Sequence, residues 1–244
     1  MKEVGIVHGD LLVKSDQEPA IKAILDDAGR VRSSEGGGRY IMEQSPVGSS
    51  ASNGVVERAI LSIEQQVRVM KSAVESRWGV KLETKHPAIP WMVEHSAALL
   101  NRFEVSHDGK TAYERRKQRR CRLEVVHFGE RAWYKQIRDG KGRKDKFESE
   151  ERTCIWLGHA RTSNEVLIGT ADGVVRAYSV SRRPVELRWS ADDFNNISGS
   201  PQQPNPNKPG GIIPVRVRFD APEERGGNGG GGQKDRRATH ADIQ

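Results

Sequence analysis

Two carboxylates and one run of cations are the residues whose types and spacing could do chemistry. Asp16 follows the apolar run Leu11-Leu12-Val13, where a strand is predicted to end, and Glu57 falls in the first turn of a long predicted helix. Strand ends in α/β folds commonly carry functional side chains. Two carboxylates brought together there would form a hard-oxygen site suited to Mg²⁺ or Mn²⁺, which in phosphoryl transfer orients and activates the attacking oxygen. Each residue also has a structural use, since an Asp after Ser can cap a helix and a Glu in a first turn is favoured by the helix dipole. The cations are Arg115, Arg116, Lys117, Arg119, Arg120 and Arg122. So dense a run is the electrostatic footprint of a polyanion partner such as nucleic acid, although a solvated helix face or a localisation signal would use the same residues.

The elements that must position these groups follow from periodicity. Ser15 and Glu18 have the S-x-x-E form of a capping box, which predicts a helix through Ile21, Ile24 and Leu25 that stops near Gly29. A loop over 33–38 and a short apolar piece over 40–42 come next. Val56, Ile60, Ile63, Val67, Met70 and Val74 then recur at alternating helical steps and mark one continuous apolar face. Glu57 lies about 100° round from Val56, so its carboxylate can point out beside that stripe. A further helix is predicted over 90–103, with Pro90 in its first turn. Thr111 and Glu114 make a second capping box, so the arginine-rich stretch is expected to open as a helix.

From Val125 onward the period becomes that of strands. Residues 131–137, 154–157, 166–170 and 174–180 are short and rich in β-branched and aromatic types, and Asp172-Gly173 is a hairpin signal. From residue 195 to the end, six Pro and nine Gly predict disorder. The expected organisation is therefore an α/β part over 1–110, a basic linker helix over 111–124, a small antiparallel β domain over 125–190, and a disordered tail over 191–244.

Charge and composition limit the function classes. The 244 residues carry a net charge of +7, and the excess is concentrated: 1–110 is net −1, 111–152 is net +6 and 153–244 is net +2. No apolar run approaches the roughly 20 residues that span a bilayer, and the first nine residues lack a signal-peptide layout, so a nuclear or cytoplasmic protein is expected rather than a membrane or secreted one. Cys121 and Cys154 are too few for a disulfide framework and have no zinc spacing. His86, His95, His107 and His127 share no ligand spacing, which assigns them surface or capping roles. There is no phosphate-loop motif, hence no expected small-molecule or nucleotide cofactor site. The five tryptophans are expected to fill cores, with Trp133, close to the basic stretch, also placed for a nucleic-acid contact.

The string Gln44-Ser45-Pro46 through Ser52-Asn53-Gly54 to Glu57-Arg58 resembles the segment around the catalytic Glu of retrotransposon and retroviral integrases, Copia-type elements in particular. Lys14-Ser15-Asp16 resembles that family's second catalytic Asp. Gly109 to Glu114, Phe128-Gly129 and Trp156-Leu157-Gly158 resemble the trailing helices and the β region that follow, so the likeness runs from about Leu11 to about Trp189. It implies part of a ribonuclease-H-like core followed by a small β-barrel-like domain, metal-dependent DNA strand transfer, Asp16 and Glu57 as ligands of Mg²⁺ or Mn²⁺, DNA as partner, and a homo-oligomer when the core is whole. The family's first Asp has no counterpart among the 15 residues ahead of Asp16, so the chain is expected to be the back half of such a core within a Pol polyprotein fragment. The rival expectation is a non-enzymatic DNA-binding remnant of a degenerate or domesticated element.

Overall fold

The computed structural model describes residues 7–15, 18–45, 53–79, 81–135, 151–161 and 163–213. Strands β1 (Leu11–Ser15) and β2 (Tyr40–Gln44) pair in parallel, with Leu11 opposite Tyr40 and Ser15 opposite Gln44. Parallel neighbours need a crossover. It is supplied by α1 (Pro19–Ser34).

Two details of α1 correct the sequence reading. The helix opens on Glu18 with no side-chain cap bond and with Pro19 in its first turn, so the preset φ of proline starts it rather than a Ser15–Glu18 box. It also runs through Gly29 to Ser34. Gly29 is not a stop but a gap, because a Cβ there would come within 2.9 Å of the Tyr40 ring. The helix end is tied down by Arg32, whose buried guanidinium donates to the carbonyls of Gly9 and Gly38, the loops that lead into β1 and β2.

Helix α2 (Gly54–Trp78) follows the predicted stripe and stops at Gly79, whose φ of 66° is the left-handed cap conformation that glycine tolerates. Helix α3 (Ala88–Phe103) packs against α2. Helix α4 (Ala112–Lys117) begins with both bonds of the predicted capping box, Thr111 N–H to Glu114 Oε2 at 2.8 Å and Glu114 N–H to Thr111 Oγ1 at 3.1 Å. It then ends early. Gln118 turns into the left-handed region at φ 54°, and 119–127 has no regular structure, so the linker expected as a helix over 111–124 is helical only in its first half.

Five antiparallel strands follow: β3 (Arg131–Lys135), β4 (Glu151–His159), β5 (Val166–Thr170), β6 (Gly173–Ala177) and β7 (Ser181–Arg182), in the order β6-β5-β4-β3-β7. The sheet is open, not the closed barrel-like form expected. β6 and β7 lie at opposite edges, and β7 contributes only two residues, paired to Ala132 and Trp133. The predicted hairpin forms between β5 and β6, with Thr170 opposite Gly173.

Both faces of this sheet are buried by alternation along the strands. One face presents Ile155, Leu157, Leu167 and Val174, and these pack with Met70 and Val74 of α2, Ala88, Trp91 and Met92 of α3, and Phe194 and Ile197. That core draws on residues from both sides of the boundary expected near 110. The other face presents Ala132, Tyr134, Cys154, Trp156, Ile168, Val175 and Ala177, joined by Val126.

The tail is the largest correction. Residues 191–213 are folded, while 214–244 lie outside the described residues. Helix α5 (Ala191–Asn195) is capped by Ser190, which accepts the Asp193 N–H at 3.2 Å, and it drives Phe194 completely into the first core. Farther on, Trp91 Nε1 donates to the Gly199 carbonyl at 2.9 Å and Val174 N–H to the Pro204 carbonyl at 2.8 Å. Glycine is needed for this: a Cβ on Gly173 or on Gly199 would collide with the Pro204 carbonyl. The same Pro and Gly content that reads as low complexity here lets a strap lie close against the sheet edge.

Candidate functional site

The end of β1 and the start of α2 lie together. Ser45 N–H donates to the Ser15 carbonyl at 2.8 Å, extending the parallel ladder one step beyond β2. The Ser45 hydroxyl, which is buried, donates to Asn53 Oδ1 at 2.8 Å, and Asn53 is the residue on which α2 opens. One side chain therefore bridges the strand ends to the helix start. Glu57 sits one turn into α2, with its carboxylate exposed as the sequence predicts. Asp16 lies outside the described residues. Asp10, the next acidic residue before it in sequence, is occupied: its carboxylate accepts from the backbone N–H and the guanidinium of Arg39, which holds its pKa below the ordinary range.

The apolar stripe of α2 divides at this site. Met70 and Val74 are buried against the sheet and α3, but Val56 and Ile60 are 57% and 53% exposed, and Leu12 and Ile41 on the small parallel sheet are exposed as well. The α/β part has no packed interior of its own among the described residues.

The six cations do not act as one helical face. Arg115 and Lys117 bracket Arg116 on α4, whereas Arg119, Arg120 and Arg122 follow the left-handed turn at Gln118. Two are already paired. Arg115 makes a two-pronged contact with Asp108, at 2.6 and 2.9 Å, which pushes that carboxyl far below its usual range, and Arg120 contacts Glu114 at 3.1 Å. Arg116, Lys117, Arg119 and Arg122 are exposed and have no ion-pair partner among the described residues. They are the cations available to a polyanion.

A second basic region was not foreseen. Glu130 is fully buried and takes both prongs of Arg182, at 2.7 and 2.8 Å, with Arg188 at 3.5 Å. Arg131 contacts Asp193 at 2.6 Å. Around this group, two arginines lie over indoles instead of carboxylates: Arg183 over Trp133 at 4.7 Å and Arg77 over Trp189 at 4.6 Å. These residues are scattered between 77 and 193, and only strand pairing together with the packing of α2 and α5 brings them near one another.

Three other groups can be placed. Among the described residues no three His, Cys, Asp or Glu side chains gather closely enough to hold a metal ion. His86 takes the capping role expected of it, accepting the Ala88 N–H at 3.1 Å where α3 begins. His95 does not stay at the surface: it is buried between Trp156 and Phe128, and burial, helped by His159 and Arg102, pushes its pKa down to about 4. Cys154 is buried too, which raises its thiol to about 12 and leaves it inert.

No family model and no curated protein matches this sequence. Among solved structures, the chain is similar to one in the cryo-electron microscopy structure of the simian T-cell lymphotropic virus intasome in complex with PP2A regulatory subunit B56 gamma. The identity is 15% and the TM-score 0.33, over 71% of this chain and 58% of that one. The chain thus spans a little over half the length of that neighbour, and the likeness is weak.

Proposed function

We propose that this chain is part of an integrase-type polynucleotidyl transferase, with a DNA-binding β module behind a partial ribonuclease-H-like core. The observation that carries the reading is the bridge through Ser45, which gathers the end of β1, the end of β2 and the first turn of α2 at one point, with the Glu57 carboxylate exposed beside it. That is where a strand-end Asp and a helix-start Glu must meet for phosphoryl transfer, and Ser45, Asn53 and Glu57 all lie in the string that resembles the integrase family. Mg²⁺ or Mn²⁺ prefers several oxygen ligands. Glu57 is the carboxylate of the first turn of α2, and Asp16 is proposed as the second; with a third carboxylate the bound metals would orient and activate the attacking oxygen. Arg116, Lys117, Arg119 and Arg122 would hold phosphates without reading sequence.

The test is Mn²⁺ binding by the 244-residue chain, followed by electron paramagnetic resonance. Asp16→Asn and Glu57→Gln should each weaken binding at least about tenfold while thermal unfolding stays unchanged. Equal Mn²⁺ binding in wild type and both variants would leave the carboxylates as helix caps. A second reading, a DNA-binding module without catalysis, is favoured by the packing: the buried residues of both hydrophobic cores begin at Met70, and β1, α1, β2 and the first half of α2 add no buried side chain to either. Duplex binding that survives both carboxylate substitutions, with no Mn²⁺ binding in the wild type, would select it.

A further inference from the structure

The helical layer covers only part of the sheet face it packs on. Arg131, Trp133 and Lys135 alternate with Ala132 and Tyr134 of the second core, so they share the face of Ile155 and Leu157. Arg131 is opposite Ile155, at the margin of the first core, while Trp133 is opposite Thr153 on β4 and Ser181 on β7, which are both exposed. Trp133 lies about 7 Å beyond Arg131 along the strand. Neither core includes it.

The two indoles capped by arginine differ in a telling way. Trp189 is held on several sides, by Trp78, His127 and Arg77, and serves as packing between α2 and the segment before α5. Among the described residues, the group that stacks on Trp133 is the guanidinium of Arg183. Arg183 in turn has no carboxylate partner among the described residues. Its Nη2 donates to the Thr153 hydroxyl and its Nε is buried without a partner; burial and the nearby Arg131 oppose its charge, and Asp193 offsets them in part. A half-buried cation with no direct carboxylate contact among the described residues, stacked on a half-buried indole, leaves room for an anion and a flat partner. A nucleotide supplies both.

We propose that the β3–β7 end of this face, which neither core reaches among the described residues, is a stacking site for one unpaired nucleotide, Trp133 taking the base and Arg183 its phosphate. The inference rests on the nucleic-acid reading above and adds to it a preference for unpaired over duplex ends. A base inside a duplex keeps its faces on its neighbours and cannot stack on an indole. Discrimination among bases is weak at such a site, because every base has a π-face.

The test is binding of the full 244-residue chain to a 20-nucleotide oligo-dT, an oligo-U of the same length and a mixed-sequence 20-base-pair duplex, by fluorescence anisotropy. Trp133→Leu, which keeps apolar bulk but removes the flat ring, should weaken both single strands about 5- to 100-fold and the duplex by less than about twofold. Trp133→Phe should stay within about threefold of wild type on all three, and thermal unfolding of each variant checks that the fold is kept. Arg183→Gln should also weaken the single strands. Unchanged single-strand binding by Trp133→Leu in a folded protein overturns the proposal, as does an equal loss on duplex, or competition by polyglutamate as strong as by oligo-dT. Duplex binding without single-strand binding in the wild type sinks this inference alone, whereas binding to none of the three sinks the nucleic-acid reading with it.

Discussion

Acid should loosen this fold through His95. The imidazole lies on the inner face of α3, 5.0 Å from the Trp156 ring and 5.8 Å from Phe128, and its Nδ1 is buried without a hydrogen-bond partner. Burial is the main reason its pKa falls to about 4, with His159 and Arg102 opposing the charged form further. In the unfolded chain the same group titrates near 6.5. The unfolded state therefore binds the extra proton at any pH between those values, so the contribution to stability is complete above about pH 6.5 and is lost as pH falls towards 4. Taken between pH 7 and pH 5, the two pKa values amount to a loss of about 2 kcal/mol, a large part of the stability of an ordinary domain. Urea unfolding at the two pH values measures it. The difference between wild type and His95→Phe isolates His95 from the carboxylates and from His86, His127 and His159, whose pKa values are also lowered. The phenyl ring keeps the aromatic packing, and His95→Leu serves if it is too large beside Gly158. A pH dependence in both variants equal to that of the wild type would refute the reasoning.

Glu130→Gln should destabilise the fold by about 2 to 3 kcal/mol in urea unfolding, less than a fully buried pair would lose, because the Arg182 left behind can turn to solvent. Gly129→Ala should cost more than about 1 kcal/mol, since Gly129 holds φ at 83° and a Cβ there would sit 2.9 Å from the Trp78 ring. Replacing Arg116, Lys117, Arg119 and Arg122 together by Gln should flatten the salt dependence of duplex binding by about 3 units, whereas Arg115→Gln and Arg120→Gln, already paired with Asp108 and Glu114, should each change it by much less than about 1.

Local signals in the sequence located most of the elements. The steps from Val56 to Val74, the Thr111–Glu114 box and the β-branched runs around 154–157 and 166–170 each depend on neighbours a few residues away, and each has its counterpart in α2, α4, β4 and β5. What could not be read depends on distant partners. Gly29 resembles a helix stop until Tyr40 is seen to occupy the space of its missing side chain. Residues 198–213 read as low complexity because only a few of them are apolar, yet Trp91, more than a hundred positions away, bonds to that strap. At the candidate site, the place of Glu57 in the first turn of α2 was legible and the bridge by Ser45 was not, since a hydroxyl between Ser15 and Asn53 has no pattern in one dimension. The arginines around Glu130 were missed for the same reason.

The division of α2 links these observations. Its stripe is continuous in sequence, and a helix of 25 residues whose apolar face is continuous should find one continuous partner. Here the sheet and α3 take the half from Met70 onward, and the half that carries Glu57 keeps Val56 and Ile60 half in water. Each of these side chains forgoes about 1 kcal/mol that full burial would supply. The small parallel sheet shows the same deficit, since Leu12 and Ile41 are exposed although parallel strands are ordinarily covered on both faces. These four side chains, Leu12, Ile41, Val56 and Ile60, belong to the elements that meet at Ser45. The stability of the described fold therefore resides in the sheet, α3 and the strap over 198–213, and the join between the strand ends and the start of α2 is held by the hydrogen bonds of Ser45. Ser45→Ala should consequently leave global urea unfolding within about 0.5 kcal/mol of wild type while raising amide hydrogen exchange in the first turn of α2, since opening there need not expose either core. A global loss above about 2 kcal/mol would show that the α/β part and the sheet unfold as one unit and that this division of labour is wrong.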